Sequence, residues 1–266
     1  MWNKINTRLN LANQSYMNED ENCSFDSGLG SLSIIKAIQK MTKSDIIYLA
    51  DKKNFPYGKK TKYQLYEIVM DTIEKISEKF NPDVIVLASN TPSLLFKKKL
   101  PSNVITVLPP LKKIQQASNV AIVTTEIVAK SKELENYISE FNNLKDVLKI
   151  NCSELVELVE SGKFLTDEKN CVKTVLKVLK DGFKENNIKI ATLSSTHLPF
   201  LLPFLKKCFR EVEFLDPAEE VAIRISKLKQ QASKRNSLSI YTTKSPKALQ
   251  RNLKKMGISN KVTLFS

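Results

Sequence analysis

Residues Lys62 to Phe80 place apolar side chains at Leu65, Ile68, Val69, Ile73, Ile76 and Phe80, the spacing of one helical face. Asn81-Pro82 breaks that pattern, and Val84-Ile85-Val86-Leu87-Ala88 follows as an unbroken apolar run. A run with no polar side predicts a strand covered on both faces, as strands of parallel sheets are. The plan recurs downstream. Val172, Val175, Leu176, Leu179 and Phe183 form a second helical stripe, Asn186-Asn187 turns the chain, and Ile188 to Leu193 predicts a second buried strand. Alternating units of this kind restrict the chain to an α/β fold of parallel sheets flanked by helices.

The two strands also end alike. "VIVLASNTPSLLF" and "IKIATLSSTHLPFLL" each run into a hydroxyl-rich turn and then through a proline into an apolar helix. Setting Ser89 against Ser195 aligns Asn90-Thr91 with Thr196-His197. An internal duplication follows: two pseudo-symmetric lobes, each a mainly parallel sheet flanked by helices, with a ligand cleft between facing strand ends. Further along, Val212 to Leu215 reads as a strand, and Asp216-Pro217-Ala218-Glu219 opens a helix with a capping aspartate and a proline at its first position. Leu238 to Thr242 predicts a strand and Pro246 to Met256 a helix that return to the first lobe. The expected organisation is a flexible tail over residues 1–21, a first lobe over 22–112 plus 216–266, and a second lobe over 113–215.

The longest strongly apolar stretch, Leu198 to Leu205, holds two prolines and is far short of the roughly 20 residues a membrane-spanning helix needs. The first twenty residues are polar and lack the apolar core of a secretory signal. A cytoplasmic location without membrane attachment is therefore expected. Cys23, Cys152, Cys171 and Cys208 are scattered and His197 is the single histidine, so neither a disulfide framework nor a metal site is expected. The net charge of +14 is carried mainly by lysine, in Lys97-Lys98-Lys99, Lys112-Lys113, the segment from Lys227 to Arg235, and Lys254-Lys255. Such a surface attracts anions. Without aromatic interleaving or a nucleic-acid motif it reads as a solvated face, and a protein or nucleic-acid partner is left open.

Three loops carry the chemistry. "FDSGLGSLSI" sets Asp26-Ser27-Gly28 and Gly30 before a helix, "YLADKKNFPYGKKT" ends a strand with Asp51 and carries Pro56-Tyr57-Gly58, and the third is the pair of hydroxyl turns. Each alone is ordinary turn chemistry. In this order they resemble the aspartate/glutamate racemase superfamily, and within it glutamate racemase, over nearly the whole chain from Phe25 to about Gly257. The family's pattern runs FDSGxGGLS, YxGDxxxxPYG, ACNT, VExG, GCTHxP and DxAxxxA. This chain supplies FDSGLGSLS, YLADKKNFPYG, LASNTPS, VESG at Val159 to Gly162, SSTHLP and LDPAEEVA.

The resemblance implies a two-lobed protein that binds a small acidic amino acid, glutamate or aspartate, without a cofactor. A second copy of the chain, in a homodimer, is also expected. Asp26, Ser27, Tyr57, Gly58, Asn90, Thr91, Thr196 and His197 match the family's ligand positions, where amides and hydroxyls suit carboxylates. Asp26, Glu160 and His197 match groups that assist proton transfer. By themselves, Asp26 could equally cap a helix, Glu160 be a solvated carboxylate and His197 a satisfied loop histidine.

The departures bear on catalysis. Glutamate racemase works by two opposed cysteines, one removing the α-proton and the other supplying a proton to the opposite face. Their positions, in ACNT and GCTH, are Ser89 and Ser195 here. A cysteine, with a reference pKa of about 8.5, can become a thiolate at neutral pH. A serine hydroxyl is a far weaker acid and needs a paired base. Since one positioned acid or base supplies roughly 10²- to 10⁴-fold, loss of both thiols predicts lost or strongly impaired racemisation. An active racemase using Asp26, Glu160 and His197 is the alternative. A Ser195–His197 nucleophilic pair is conceivable on an extended segment, although no orienting acid accompanies it. Ser31, Ala50 and Ser194 replace family glycines, and Val128 replaces a threonine expected to be polar in the cleft.

Overall fold

The computed structural model describes residues 21–114, 117–142, 144, 146–228 and 236–266. The chain forms two wholly parallel sheets. The first has strands β1 (Glu21–Asp26), β2 (Asp45–Ala50), β3 (Val84–Leu87), β4 (Val104–Thr106), β9 (Leu238–Thr242) and β10 (Val262–Leu264), in the order β10-β9-β2-β1-β3-β4. The second has β5 (Val120–Thr124), β6 (Leu148–Asn151), β7 (Ile190–Ser194) and β8 (Glu213–Leu215), in the order β6-β5-β7-β8. The order β2-β1-β3-β4 in one lobe repeats as β6-β5-β7-β8 in the other, which is the pseudo-symmetry read from the two strand ends.

The central strands of both sheets are buried on both faces, and the alternation along β2 and β5 shows it. In β2, Ile46, Tyr48 and Ala50 join one apolar cluster while Ile47 and Leu49 join another on the opposite face. In β5, Ala121 and Val123 face one cluster and Val120 and Ile122 the other. Helices α1 (Ser31–Met41), α2 (Lys62–Phe80), α3 (Asn90–Leu95), α9 (Ala218–Leu228) and α10 (Pro246–Lys255) accompany the first sheet. Helices α4 (Glu126–Ala129), α5 (Lys132–Ser139), α6 (Ser153–Glu160), α7 (Glu168–Glu185) and α8 (Leu202–Cys208) accompany the second.

Helix α2 begins and ends where its sequence dictates. Thr61 accepts from the Gln64 amide while the Gln64 side chain accepts from the Thr61 amide, a reciprocal cap. Asn81 closes the other end in the left-handed region at φ 45°. Three expectations shift. The strand expected from Ile188 starts at Ile190, because the Ile188 amide donates back to Phe183 and closes α7 instead. The strand through Ala88 ends at Leu87, yet the Ala88 amide still donates to Phe25. The tail expected over residues 1–21 overlaps the sheet at its last residue, since Glu21 opens β1 opposite Asp45. The remainder of that tail and residues 229–235 of the basic segment lie outside the described residues.

Some of the lysines are paired with carboxylates. Lys97 pairs with Glu140, Lys113 with Glu219, Lys177 with Glu154 and Lys207 with Glu168. No helix among the described residues is long and apolar enough to cross a membrane.

Candidate functional site

The carboxyl ends of β1, β3 and β7 converge on one interlobe pocket, which encloses about 500 Å³, part of it open to solvent. Asp26 and Ser27 enter it from the end of β1, Tyr57 and Gly58 from the loop after β2, and Ser89, Asn90 and Thr91 from the end of β3. The second lobe contributes Ser195, Thr196 and His197 from the end of β7. Thus Ser89 and Ser195 reach the pocket from equivalent strand ends of opposite lobes, and both are buried.

Asp26 is 1% exposed. Its Oδ1 accepts from the Ser27 amide at 2.6 Å, and its Oδ2 accepts from the Thr196 hydroxyl of the other lobe at 3.3 Å. Burial pushes its carboxyl above the ordinary value, although the positive His197, the Ser27 amide and the Ser89 side chain pull the other way. Gly30 makes this meeting possible. A Cβ there would stand 2.2 Å from Thr196 Oγ1, 2.3 Å from Asp26 Oδ2 and 2.9 Å from His197 Cε1.

Glu160, at the end of α6, does not line the pocket but stands behind His197. Its Oε1 meets His197 Nε2 at 2.7 Å. Oε1 also accepts from the Leu29 amide, and Oε2 pairs with Lys52 Nζ. Burial alone would raise its pKa, but the hydrogen bond and charge of His197, with the charge of Lys52, overcome it and hold the carboxyl at about 2. Burial likewise acts to strip His197 of its proton, and Glu160 more than restores it, so the ring is held above the usual imidazole range. The pairing favours the imidazolium beside the carboxylate.

Other side chains fix the loops. Asp51 accepts from the Tyr57 hydroxyl at 2.9 Å, the Thr243 hydroxyl at 2.8 Å and the Asn54 amide, tying the loop that carries Tyr57 to β9. Asn90 donates to the Val107 carbonyl at 3.3 Å, while its buried Oδ1 meets no protein partner. Thr91 and Thr125 join hydroxyls across the cleft at 2.9 Å.

Two expectations fail. The Ser195–His197 segment is a turn with His197 in the right-handed helical region, not an extended strand, and Nε2 is committed to Glu160. The nucleophilic pair is therefore not formed. Val128 packs in the apolar cluster behind β5 and does not line the pocket, so a valine in place of threonine there takes no polar group from the pocket. Residues given no role in the sequence reading also line the pocket: Phe55 and Lys59 within the quoted YLADKKNFPYGKKT loop, and Thr125, Val156 and Glu157 outside the motifs. The lysine run around Tyr57 and the i, i+3 spacing of Glu157 and Glu160 were the available signals. The cysteines line no part of it, and burial pushes the Cys152 thiol up to about 12. Among the described residues no cluster of three potential ligands stands where it could hold a metal.

No protein-family model matches the chain. The chain is, however, 31% identical over 202 residues to glutamate racemase of Clostridium botulinum (strain Alaska E43 / Type E3), a match covering 72% of this chain and 77% of that protein. It belongs to the glutamate racemase family. The fold agrees. Glutamate racemase isoform RacE1 of Bacillus anthracis superposes with a TM-score of 0.81 at 23% identity, covering 93% of this chain and 98% of the other. The Escherichia coli glutamate racemase, solved with L-glutamate and the activator UDP-MurNAc-ala, superposes at 0.79 and 22% identity over 93% and 98% of the two chains.

Proposed function

We propose that the chain binds a small acidic amino acid, glutamate or aspartate, between its lobes, and that two-thiol racemisation is lost or strongly impaired. The observation that carries this reading is the pair Ser89 and Ser195, which face one pocket from equivalent strand ends of opposite lobes. They occupy the two positions at which the family's pattern has cysteine. The surrounding groups fit an amino-acid dicarboxylate. Asn90 Oδ1 is a buried acceptor without a protein partner, suited to an ammonium group, because a buried polar atom is costly unless it is paired. The hydroxyls of Ser27, Thr91 and Thr196 and the positive His197 suit carboxylates. The bound L-glutamate of the Escherichia coli relative supports the same substrate class. A cytoplasmic homodimer belongs to the same proposal.

A second reading, an active racemase with Asp26, Glu160 and His197 as its acid–base set, draws support from the raised pKa of Asp26, which eases proton uptake. One experiment separates them: incubation with each enantiomer of glutamate and aspartate in D₂O, following α-deuteration and optical inversion, alongside ligand-dependent thermal stabilisation. Stabilisation without exchange is the expected outcome, and robust turnover by the unaltered chain refutes the loss of catalysis. Absence of any stabilisation refutes binding. Ser89→Cys with Ser195→Cys is expected to bring α-exchange back.

A further inference from the structure

The Glu160 carboxylate is gripped by donors from both lobes. Leu29 and Lys52 reach it from the first lobe, and His197 meets it from within the second. The Glu160 side chain is 6% exposed and that of Lys52 only 22%. The backbone at Gly28 closes on it so tightly that a Cβ there would fall 1.8 Å from Oε1. The carboxylate therefore has one orientation, and the two oxygens divide their work: Oε1 faces the ring and the Leu29 amide, and Oε2 faces the lysine. Lys52 also lies over the Phe55 ring at 4.9 Å from its centroid, and Phe55 lines the pocket, so its ammonium is braced from a second side. Lys52 falls at one of the unspecified positions of the YxGDxxxxPYG pattern, so the motif itself gave it no role.

We propose that Lys52 is a positioning residue of the cleft: it locks Glu160 in one orientation as a permanent anion, and through that carboxylate it governs the orientation and charge of the His197 ring that faces the ligand. The proposal draws on the ligand-site reading only for what the ring does, since the junction exists without a ligand. Three charged groups face the ring. Glu160 on α6 and Asp26 at the end of β1 favour the imidazolium, while Lys52 on the loop after β2 opposes it. Lys52 thus plays two parts. It pins Oε2, and its own charge opposes that of the ring; the Leu29 amide and His197 hold Oε1 without it, so the opposing charge is the part that its removal exposes.

The single histidine makes the test direct, because one ring Cε1–H resonance reports His197 without assignment. In Lys52→Met the NMR titration midpoint of His197 is expected to rise by about half a unit or more, the size of effect expected when a like charge is removed at short range in a partly screened site. Lys52→Arg keeps a cation and is expected to return the midpoint toward the wild-type value. Lys52→Gln keeps a donor without the charge, guards against a folding failure of the methionine variant, and is expected to raise the midpoint as well. A midpoint that stays fixed or falls in the folded Met or Gln variant overturns the proposal. The titration uses no ligand, so its failure is distinct from a failure of amino-acid binding.

Discussion

Gly28→Ala tests whether the junction behind His197 is a tightly built part of the fold. An ideal Cβ at Gly28 stands 1.8 Å from Glu160 Oε1, 2.5 Å from Cδ and 2.9 Å from Oε2. Gly28 is not among the positive-φ residues, so the cost is collision and not backbone strain. A free glutamate would swing aside, but this one is held by Leu29, Lys52 and His197. Its retreat breaks at least one charge-assisted bond in a buried place. Disrupting a buried ion pair costs about 3–5 kcal/mol. At ~2–4 °C per kcal/mol for a chain of this size, the melting temperature should fall by roughly 10 °C. Urea denaturation of the wild type, Gly28→Ala, Glu160→Ala and the double variant closes a cycle that isolates the collision. In the Glu160→Ala background the glycine substitution should cost under about 1 kcal/mol, because the colliding atoms are gone. A Gly28→Ala variant as stable as the wild type, or a strictly additive cycle, refutes the reasoning.

The same junction makes stability depend on pH in two windows. Glu160 is held at about 2 against an ordinary 4.5, so its contribution is complete above the ordinary value and lost as pH falls toward 2. His197 is raised from 6.5, so its contribution is complete below 6.5 and lost as pH rises through the raised value. Urea midpoints across pH should fall on both flanks in the wild type and flatten in Glu160→Gln; equal slopes in the two proteins would contradict the assignment. At the end of α2, Asn81 sits at φ 45°, so Asn81→Ala should cost about 1 kcal/mol and Asn81→Gly nearly nothing by the same denaturation measurement. Equal costs for the two substitutions would place the origin elsewhere.

What could be read from the chain was local. The stripe from Leu65 to Phe80 and the caps at Thr61 and Asn81 are short-range signals, and they place α2 at Lys62–Phe80. The start of β7 escaped because Ile188 is as apolar as a strand residue, but its amide is claimed by the end of α7. The ordered motifs placed Asp26, Tyr57, Ser89 and Ser195 at strand ends or on adjoining loops, and in three dimensions these line one pocket. The place of Glu160 behind the ring, and the approach of Lys52 and Thr125 across the cleft, depend on how the lobes meet. Residues 52 and 160 lie far apart along the chain, and no periodicity encodes their meeting. The glycines of FDSGLG were recognisable as a motif, but their reason, room for Glu160 at Gly28 and for Asp26, Thr196 and His197 at Gly30, is a tertiary one.

The geometry around Gly30 also weighs on whether the surviving acids and bases could replace the missing thiols. Inverting an α-carbon without a cofactor needs one group on each face. Proton-transfer distances of about 3 Å on either side then place the two groups roughly 6 Å apart with the carbon between them. Asp26 Oδ2 and His197 Cε1 both lie within 3 Å of the point where a Gly30 Cβ would be, so these two groups approach the pocket from one region. Glu160 is further removed, behind the ring, with both oxygens engaged. Ser89 and Ser195 line the pocket from opposite lobes, but a serine hydroxyl gives up its proton far too reluctantly to draw one from an amino-acid α-carbon unaided. A hydroxyl nevertheless donates a good hydrogen bond to a carboxylate. Under the proposed function the serine pair would leave the pocket able to hold a ligand without exchanging its α-proton, and binding without α-deuteration in D₂O is the result that reading predicts.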